Sequence, residues 1–255
     1  MTNKEMLCTA LKQSALELNC TVDDLTGGKS KAVISSTAEG ARKYLSLPFY
    51  CQLVSYGSGI VASVNEEIYA DAKAYIEKYA PEHCFETPNM LVLQSALERR
   101  GMSACFMAEY WLCDTEAIRP LDCGYELRLL TAEDFAPLYT PQWSNALCEK
   151  RKELDVLGIG AYDGEKLVGL AGCSADCESM WQIGVDVLPE YRRRGIASAV
   201  TGRLAAEIMA RGKVPFYCCA WSNVASARNA IRAGLRTAWV ELTAKSAEYT
   251  ADMNK

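Results

Sequence analysis

Apolar residues recur at helical and strand spacings along the whole chain, and clusters of turn residues separate them into two series of elements. Residues 3–18 place Met6, Leu7, Leu11 and Leu18 among alanines and charges, which predicts a helix ended by a polar turn near Asn19. Residues 21–31 are polar, contain Gly27-Gly28 and read as a loop. Residues 50–64 are rich in β-branched and aromatic side chains, and Gly57-Ser58-Gly59 divides them into two strands joined by a turn. Helical spacing returns over 66–79 through Ile68, Ala72, Tyr75, Ile76 and Tyr79, and stops at Pro81. Residues 90–100 predict another helix with Gly101 as its C-cap, followed by an aromatic-rich strand over 103–113. A stretch with Asp114, Glu116, Pro120 and Asp122 then marks a boundary, giving an α+β N-terminal domain over 1–120 and a second domain over 121–255.

The second series starts with an alternating strand at 125–129. Thr131 and Asp134 form a capping-box pattern that predicts a helix after the strand. Apolar runs at 157–162 and 167–173 flank Asp163-Gly164-Glu165-Lys166 as a hairpin, and residues 181–187 alternate strictly. Ile196, Val200, Leu204 and Ile208 define a helix over 196–210 ended by Gly212. A buried strand at 215–221, a helix capped by Asn223 and closed by Gly234, and a last strand at 237–243 complete the order β-α-β-β-β-α-β-α-β. Hairpins come first and crossovers last, so the expected fold is α+β or α/β, with a mixed central sheet flanked by helices.

Charge and composition narrow the partners. The net charge is −5, and the only dense basic run, Arg192 to Arg194, is too short to hold a duplex, so nucleic acid is not an expected partner. No apolar stretch reaches the roughly 18 residues of a membrane span, and residues 1–5 lack the start of a secretory leader. The 12 cysteines are scattered, with no Cys-x-x-Cys pair and His83 as the sole histidine. They therefore read as reduced, small buried hydrophobes, with no metal expected and a cytoplasmic location.

The chemistry concentrates between the strand at 181–187 and the helix from 196. Gly195 admits backbone conformations and close approaches denied to other residues, and Ala197 keeps the helix start free of bulk. The first N–H groups of a helix lack partners and its dipole favours negative charge, so Arg192-Arg193-Arg194-Gly195-Ile196-Ala197 suits a pyrophosphate. The arginines add charge-assisted hydrogen bonds. The bland alternative is a helix start with a solvated basic turn. A Rossmann loop or a P-loop would need glycines, or a Gly-Lys-Ser/Thr, that are not present.

With its neighbours, this loop resembles the GNAT superfamily of acyl-CoA N-acyltransferases. Arg192, Gly195 and Ala197 fit that family's Arg/Gln-x-x-Gly-x-Gly/Ala pattern, and Val185-Asp186-Val187-Leu188-Pro189 fits the strand end and proline before it. Asn223 with Ser226, and Gly234-Leu235 further on, resemble the segment after the next strand. The resemblance covers about half the chain, from Tyr125 to about residue 245. It implies acetyl-CoA as co-substrate and direct transfer of an acetyl group to a primary amine in a ternary complex. The backbone of Val185, Asp186 and Val187 would pair with the pantetheine arm. The N–H groups from Arg193 to Ser198 would hold the pyrophosphate, and Asn223 and Ser226 would lie near the thiol unless they serve only as helix caps.

For catalysis, a carboxylate acting through water could serve as general base, and Asp186 is the candidate, with Glu178 and Glu241 as weaker ones. Its bland alternative is a solvated strand residue. Many family members carry a tyrosine seven residues after the asparagine to protonate the leaving thiolate, and here that position is Ala230. Tyr217, Tyr191 or Cys219 could stand in. The missing tyrosine also keeps open a non-catalytic acyl-CoA-binding or sensing module. The acceptor implied is a small-molecule or peptide amine. In the first half, residues 96–102 echo 230–235, which suggests a degenerate acyltransferase-like half without the loop. His83 reads as a surface residue of the acceptor side or of a homodimer contact.

Overall fold

β-Hairpins alternating with helical crossovers give a mixed α+β fold, a central mixed sheet flanked by helices, as the element order requires. The computed structural model of the protein describes residues 1–255. In chain order the first elements are α1 (Asn3–Leu18), α2 (Val22–Thr26), β1 (Lys31–Ile34), β2 (Cys51–Ser55), β3 (Val61–Val64), α3 (Tyr69–Lys78), α4 (Thr87–Glu98) and β4 (Met102–Cys113). There follow β5 (Glu126–Thr131), β6 (Asp155–Asp163), β7 (Lys166–Ser174), β8 (Met180–Val187) and α5 (Ile196–Ala210). The chain ends with β9 (Val214–Ala220), α6 (Val224–Arg232), β10 (Leu235–Ser246) and α7 (Ala247–Met253). No helix is long and apolar enough to cross a membrane.

Two compact units result, one of residues 1–9 and 111–237, the other of residues 10–110 and 238–255. They differ from a single cut at residue 120, because residues 238–255 join the second unit. The reason is strand pairing: Val240 to Thr243 of β10 lie antiparallel to Ser55 to Gln52 of β2.

In the first unit β5, β6, β7 and β8 form an antiparallel meander, and β9 lies parallel to β8. The β6–β7 turn is closed by Gly164 at φ +60°. Helix α5 packs on this sheet through Ile196, Val200, Leu204 and Ile208, all buried. It comes close because Gly169 of β7 has no side chain; a Cβ there would stand 2.4 Å from Ile196 Cγ2. The helix expected after Thr131 is replaced by short 3-10 turns at Ala132–Asp134, Ala136–Leu138 and Pro141–Trp143. The cap itself forms, since the Asp134 carboxylate accepts from the Thr131 backbone N–H at 2.8 Å. Pro137 and Pro141 then lack the N–H donors a continuing helix needs. Phe135, Trp143, Ala146 and Leu147 from this irregular stretch bury against Leu130 and Leu170.

In the second unit β3 pairs with β1 in parallel and with β2 antiparallel. Leu53, Ala62, Val64, Ile68, Ala72, Ile76, Leu93, Leu97 and Leu242 form its core, joining sheet, α3 and α4. Two elements here depart from the sequence reading. The polar stretch after Thr21 contains α2, held by the reciprocal bonds of Thr21 and Asp24. Lys31 to Ile34 forms the strand β1.

Beside that core lies a buried ionic cluster. The Arg42 guanidinium forks onto Glu17 at 2.6–2.9 Å and reaches Glu241 at 3.1 Å, all three side chains being at most 4% exposed. Gln52 and the Trp239 indole also donate to Glu241, at 2.8 Å each. Burial opposes the Arg42 charge, and Tyr44 with the Glu17 and Glu241 carboxylates outweighs it and holds the guanidinium charged.

Candidate functional site

The parallel pair β8–β9 is the place where the sheet opens. Its register runs from Met180↔Val214 to Ile183↔Tyr217 and ends there, although β8 continues to Val187 and β9 to Ala220. Beyond Ile183, β8 keeps its partner β7 as far as Val187↔Gly169 but no longer pairs with β9. The backbone of residues 184–187 is thus one-sided, and an extended ligand can add to it as a strand would. Val185 and Val187 fall in this stretch.

The chain leaves β8 through a 3-10 turn at Pro189–Tyr191 and enters α5 by a loop with two left-handed residues, Arg193 at φ +63° and Gly195 at φ +83°. Arginine in that region is strained, and such residues persist where the surroundings hold them. Arg194 supplies part of the hold: it donates to the Tyr125 hydroxyl at 2.8 Å and the Glu190 carbonyl at 3.0 Å, and lies over the Tyr191 ring. Arg192 donates to the Val187 carbonyl at 3.2 Å.

No side chain caps α5, and its closing bond runs from the Ala199 N–H to the Gly195 carbonyl at 3.1 Å. The N–H groups of Ile196, Ala197 and Ser198 therefore point out of the helix end. Arg192 and Arg193 are exposed beside them. The result is a helix N-terminus with free donors and positive charge beside it, a setting that favours an anion.

The candidate thiol region holds a chain of side-chain contacts. Asn223 caps α6 by accepting from the Ser226 N–H at 3.1 Å. Ser226 Oγ meets the Tyr217 hydroxyl at 2.6 Å. Tyr217 is 4% exposed, and burial pushes its phenol above the ordinary value, so it stays protonated. Ala230 is fully buried on the same helix. Asn229, a residue that sequence reasoning missed, accepts from Ser198 Oγ at 3.1 Å and donates to Thr201 Oγ1 at 3.2 Å, tying α6 to the first turns of α5. Only its polarity on an inner helix face could have flagged it.

Asp186, the candidate general base, is engaged in hydrogen bonds. Its carboxylate accepts from the Asn145 N–H at 2.9 Å, the Asn145 side-chain amide at 2.7 Å and the Ala146 N–H at 3.0 Å. The carboxylate thereby clamps the backbone of residues 145–146. Glu241 lies in the ionic cluster of the second unit. Glu178 is exposed, and Cys219 is buried on β9. Tyr191 donates to Asp163 at 2.9 Å. His83 is on the surface, bonded to Glu86 at 2.8 Å, which raises its basicity.

The candidate site elements thus belong to one open strand pair and one uncapped helix. The GNAT acetyltransferase family model matches residues 66–237, more than half of the chain, and the chain belongs to that family. The match begins at Glu66, well before the second series of elements. No curated protein gives a match to the sequence. Among solved structures, the chain is similar to a proposed GNAT-family acetyltransferase from Novosphingobium aromaticivorans at 22% identity, covering 56% of this chain and 66% of that one, with a TM-score of 0.45. It is also similar to a GCN5-related N-acetyltransferase from Sphaerobacter thermophilus, at 16% identity over 74% and 72% of the two chains and a TM-score of 0.46. A proposed acetyltransferase from Salmonella typhimurium, solved with its cofactor acetyl-CoA, is 16% identical over 48% and 93%, with a TM-score of 0.34. The chain spans slightly under two thirds of the first of these.

Proposed function

We propose that this protein transfers the acetyl group of acetyl-CoA to a primary amine by direct attack. The observation that carries the reading is the divergence of β8 from β9 after Ile183↔Tyr217, with the uncapped N-terminus of α5 following the same strand. Arg192, Arg193 and Arg194 and the N–H groups from Gly195 to Ser198 would receive the diphosphate. The backbone of Val185 to Val187 would pair with the pantetheine amides, which directs the thioester toward Tyr217, Asn223 and Ser226.

In the reaction the amine nitrogen forms a bond to the thioester carbonyl carbon, the C–S bond breaks, and its electron pair goes to sulfur. The amine gives up a proton and the thiolate takes one. The Tyr217 hydroxyl, kept protonated by burial and linked to Ser226, is the donor this chain offers in place of a tyrosine at Ala230. A backbone N–H of the unpaired β8 edge would stabilise the oxyanion.

The second reading is an acyl-CoA-binding module without turnover, favoured by the hydrogen-bonded carboxylate of Asp186 and the buried Ala230. Calorimetry with acetyl-CoA tests both readings, and absence of binding at millimolar ligand sinks them together. Thiol release over a panel of amines separates them. With a turning-over amine in hand, Tyr217→Phe should lower kcat by roughly 10²–10⁴-fold while acetyl-CoA still binds. An unchanged kcat would remove Tyr217 as the proton donor.

A further inference from the structure

The sheet face opposite α5 carries two glycines directly across from each other, Gly172 of β7 and Gly184 of β8. Neither adopts a left-handed conformation, so backbone freedom is not why glycine stands there. The space a Cβ would need is already occupied. At Gly184 it would lie 1.8 Å from the Asn145 carbonyl oxygen, and at Gly172 2.2 Å from that of Ala146. The backbone of residues 145–146 therefore rests on bare sheet, a close approach only glycine permits.

Asp186 stands two residues beyond Gly184 on β8, and alternation puts both on one face. Its carboxylate takes the N–H groups of Asn145 and Ala146 and the Asn145 side chain. Trp143 and Leu147, on either side of the clamped pair, are buried and anchor the same segment. Gly184 is also the first residue of β8 past its last pair with β9. The clamp is thus built at the vertex where the two strands part.

We infer that Asp186 is a positioning residue: acting through Asn145 and Ala146, it fixes a backbone wall at the vertex that confines the donor to short acyl chains. This rests on reading the β8–β9 opening as the thioester site. A thioester paired along residues 185–187 presents its acyl end toward Gly184, where the Asn145 and Ala146 backbone covers one face and the Ile183–Tyr217 pair forms the floor. An acetyl methyl meets that wall without displacing it. A longer chain must lift the segment, which breaks charge-assisted hydrogen bonds and opens the packing on Gly172 and Gly184.

The test is calorimetric binding of CoA, acetyl-CoA and hexanoyl-CoA to the full chain and to Asp186→Ala. The readout is the ratio of acetyl-CoA to hexanoyl-CoA affinity within each protein, which cancels any change common to all CoA ligands. The wild type should prefer acetyl-CoA by about tenfold or more, and the variant should lose most of that preference. Asp186→Asn, which keeps the volume but presents an amide NH₂ to the donors, should move the ratio the same way and serves if Asp186→Ala does not fold. A wild type that binds hexanoyl-CoA as tightly as acetyl-CoA, or variants that keep the wild-type preference, would overturn the inference and leave the CoA site standing. A wild type that binds none of the three would remove the CoA site itself.

Discussion

Substituting Gly195 separates the two properties that make the loop before α5 an anion site. The residue sits at φ +83°, and a Cβ built on it would meet only Cys123 Cβ, at an ordinary 3.9 Å. Gly195→Ala therefore introduces backbone strain without a clash, about 1–2 kcal/mol for a non-glycine residue in this region. Relaxing toward negative φ relieves the strain but turns the Ile196 and Ala197 amides away from the ligand. Calorimetry should then show CoA affinity lowered by about 5–30-fold, the strain expressed through the binding equilibrium. Gly195→Glu adds a carboxylate beside the diphosphate. At about 4 Å and an effective dielectric near 20, one such pair repels by roughly 4 kcal/mol, so affinity should fall by a further factor of about 10³. The excess loss in Gly195→Glu should shrink with added salt, while the loss in Gly195→Ala should not. Equal affinities in all three proteins, with the fold confirmed by circular dichroism, would refute the assignment of this loop to a phosphate ligand.

The buried groups give three further expected outcomes. Burial raises the Asp155 carboxyl from 3.8 to about 6, against the Cys148 N–H and Tyr139 hydroxyl that favour its charged form. A raised carboxyl is stabilising while protonated and loses that contribution as pH rises through about 6, so Asp155→Asn should gain about 2 kcal/mol relative to wild type between pH 4 and pH 7. Thermal midpoints across that range check it, and a pH-independent difference would count against it. Arg42→Ala leaves Glu17 and Glu241 buried without their cation and should cost about 3–5 kcal/mol in denaturant titrations, with Arg42→Lys recovering part of the loss. Gly234→Ala should lower the denaturant midpoint measurably more than Gly212→Ala. Both glycines are left-handed, but only at Gly234 would the methyl meet backbone, 2.6 Å from Ile118 Cα.

Sequence periodicity located α5 because that segment buries one regular face. Ile196, Val200, Leu204 and Ile208 lie at helical spacing and all turn inward. The stretch after Thr131 misled for the converse reason. Its capping pair is local and forms, whereas Pro137, Pro141 and the packing of Trp143 set the path of the chain beyond it. α2 was legible in principle, since Thr21 and Asp24 carry the same local signature. The role of Asp186 was not legible, because alternation along a strand says which face a side chain takes and not what covers that face.

The sequence by itself determined the local chemistry: a glycine free to take conformations denied to other residues before α5, arginines around it, and an asparagine that caps α6. These depend on bonds and charges within a few residues and need no knowledge of the rest of the chain. Tertiary structure decided where β8 and β9 part, since that depends on pairing between segments about 30 residues apart. It also decided that residues 238–255 complete the unit built from residues 10–110. And it turned Asp186 from a free carboxylate into a clamp, because the donors that fill it come from Asn145 and Ala146, some 40 residues earlier in the chain.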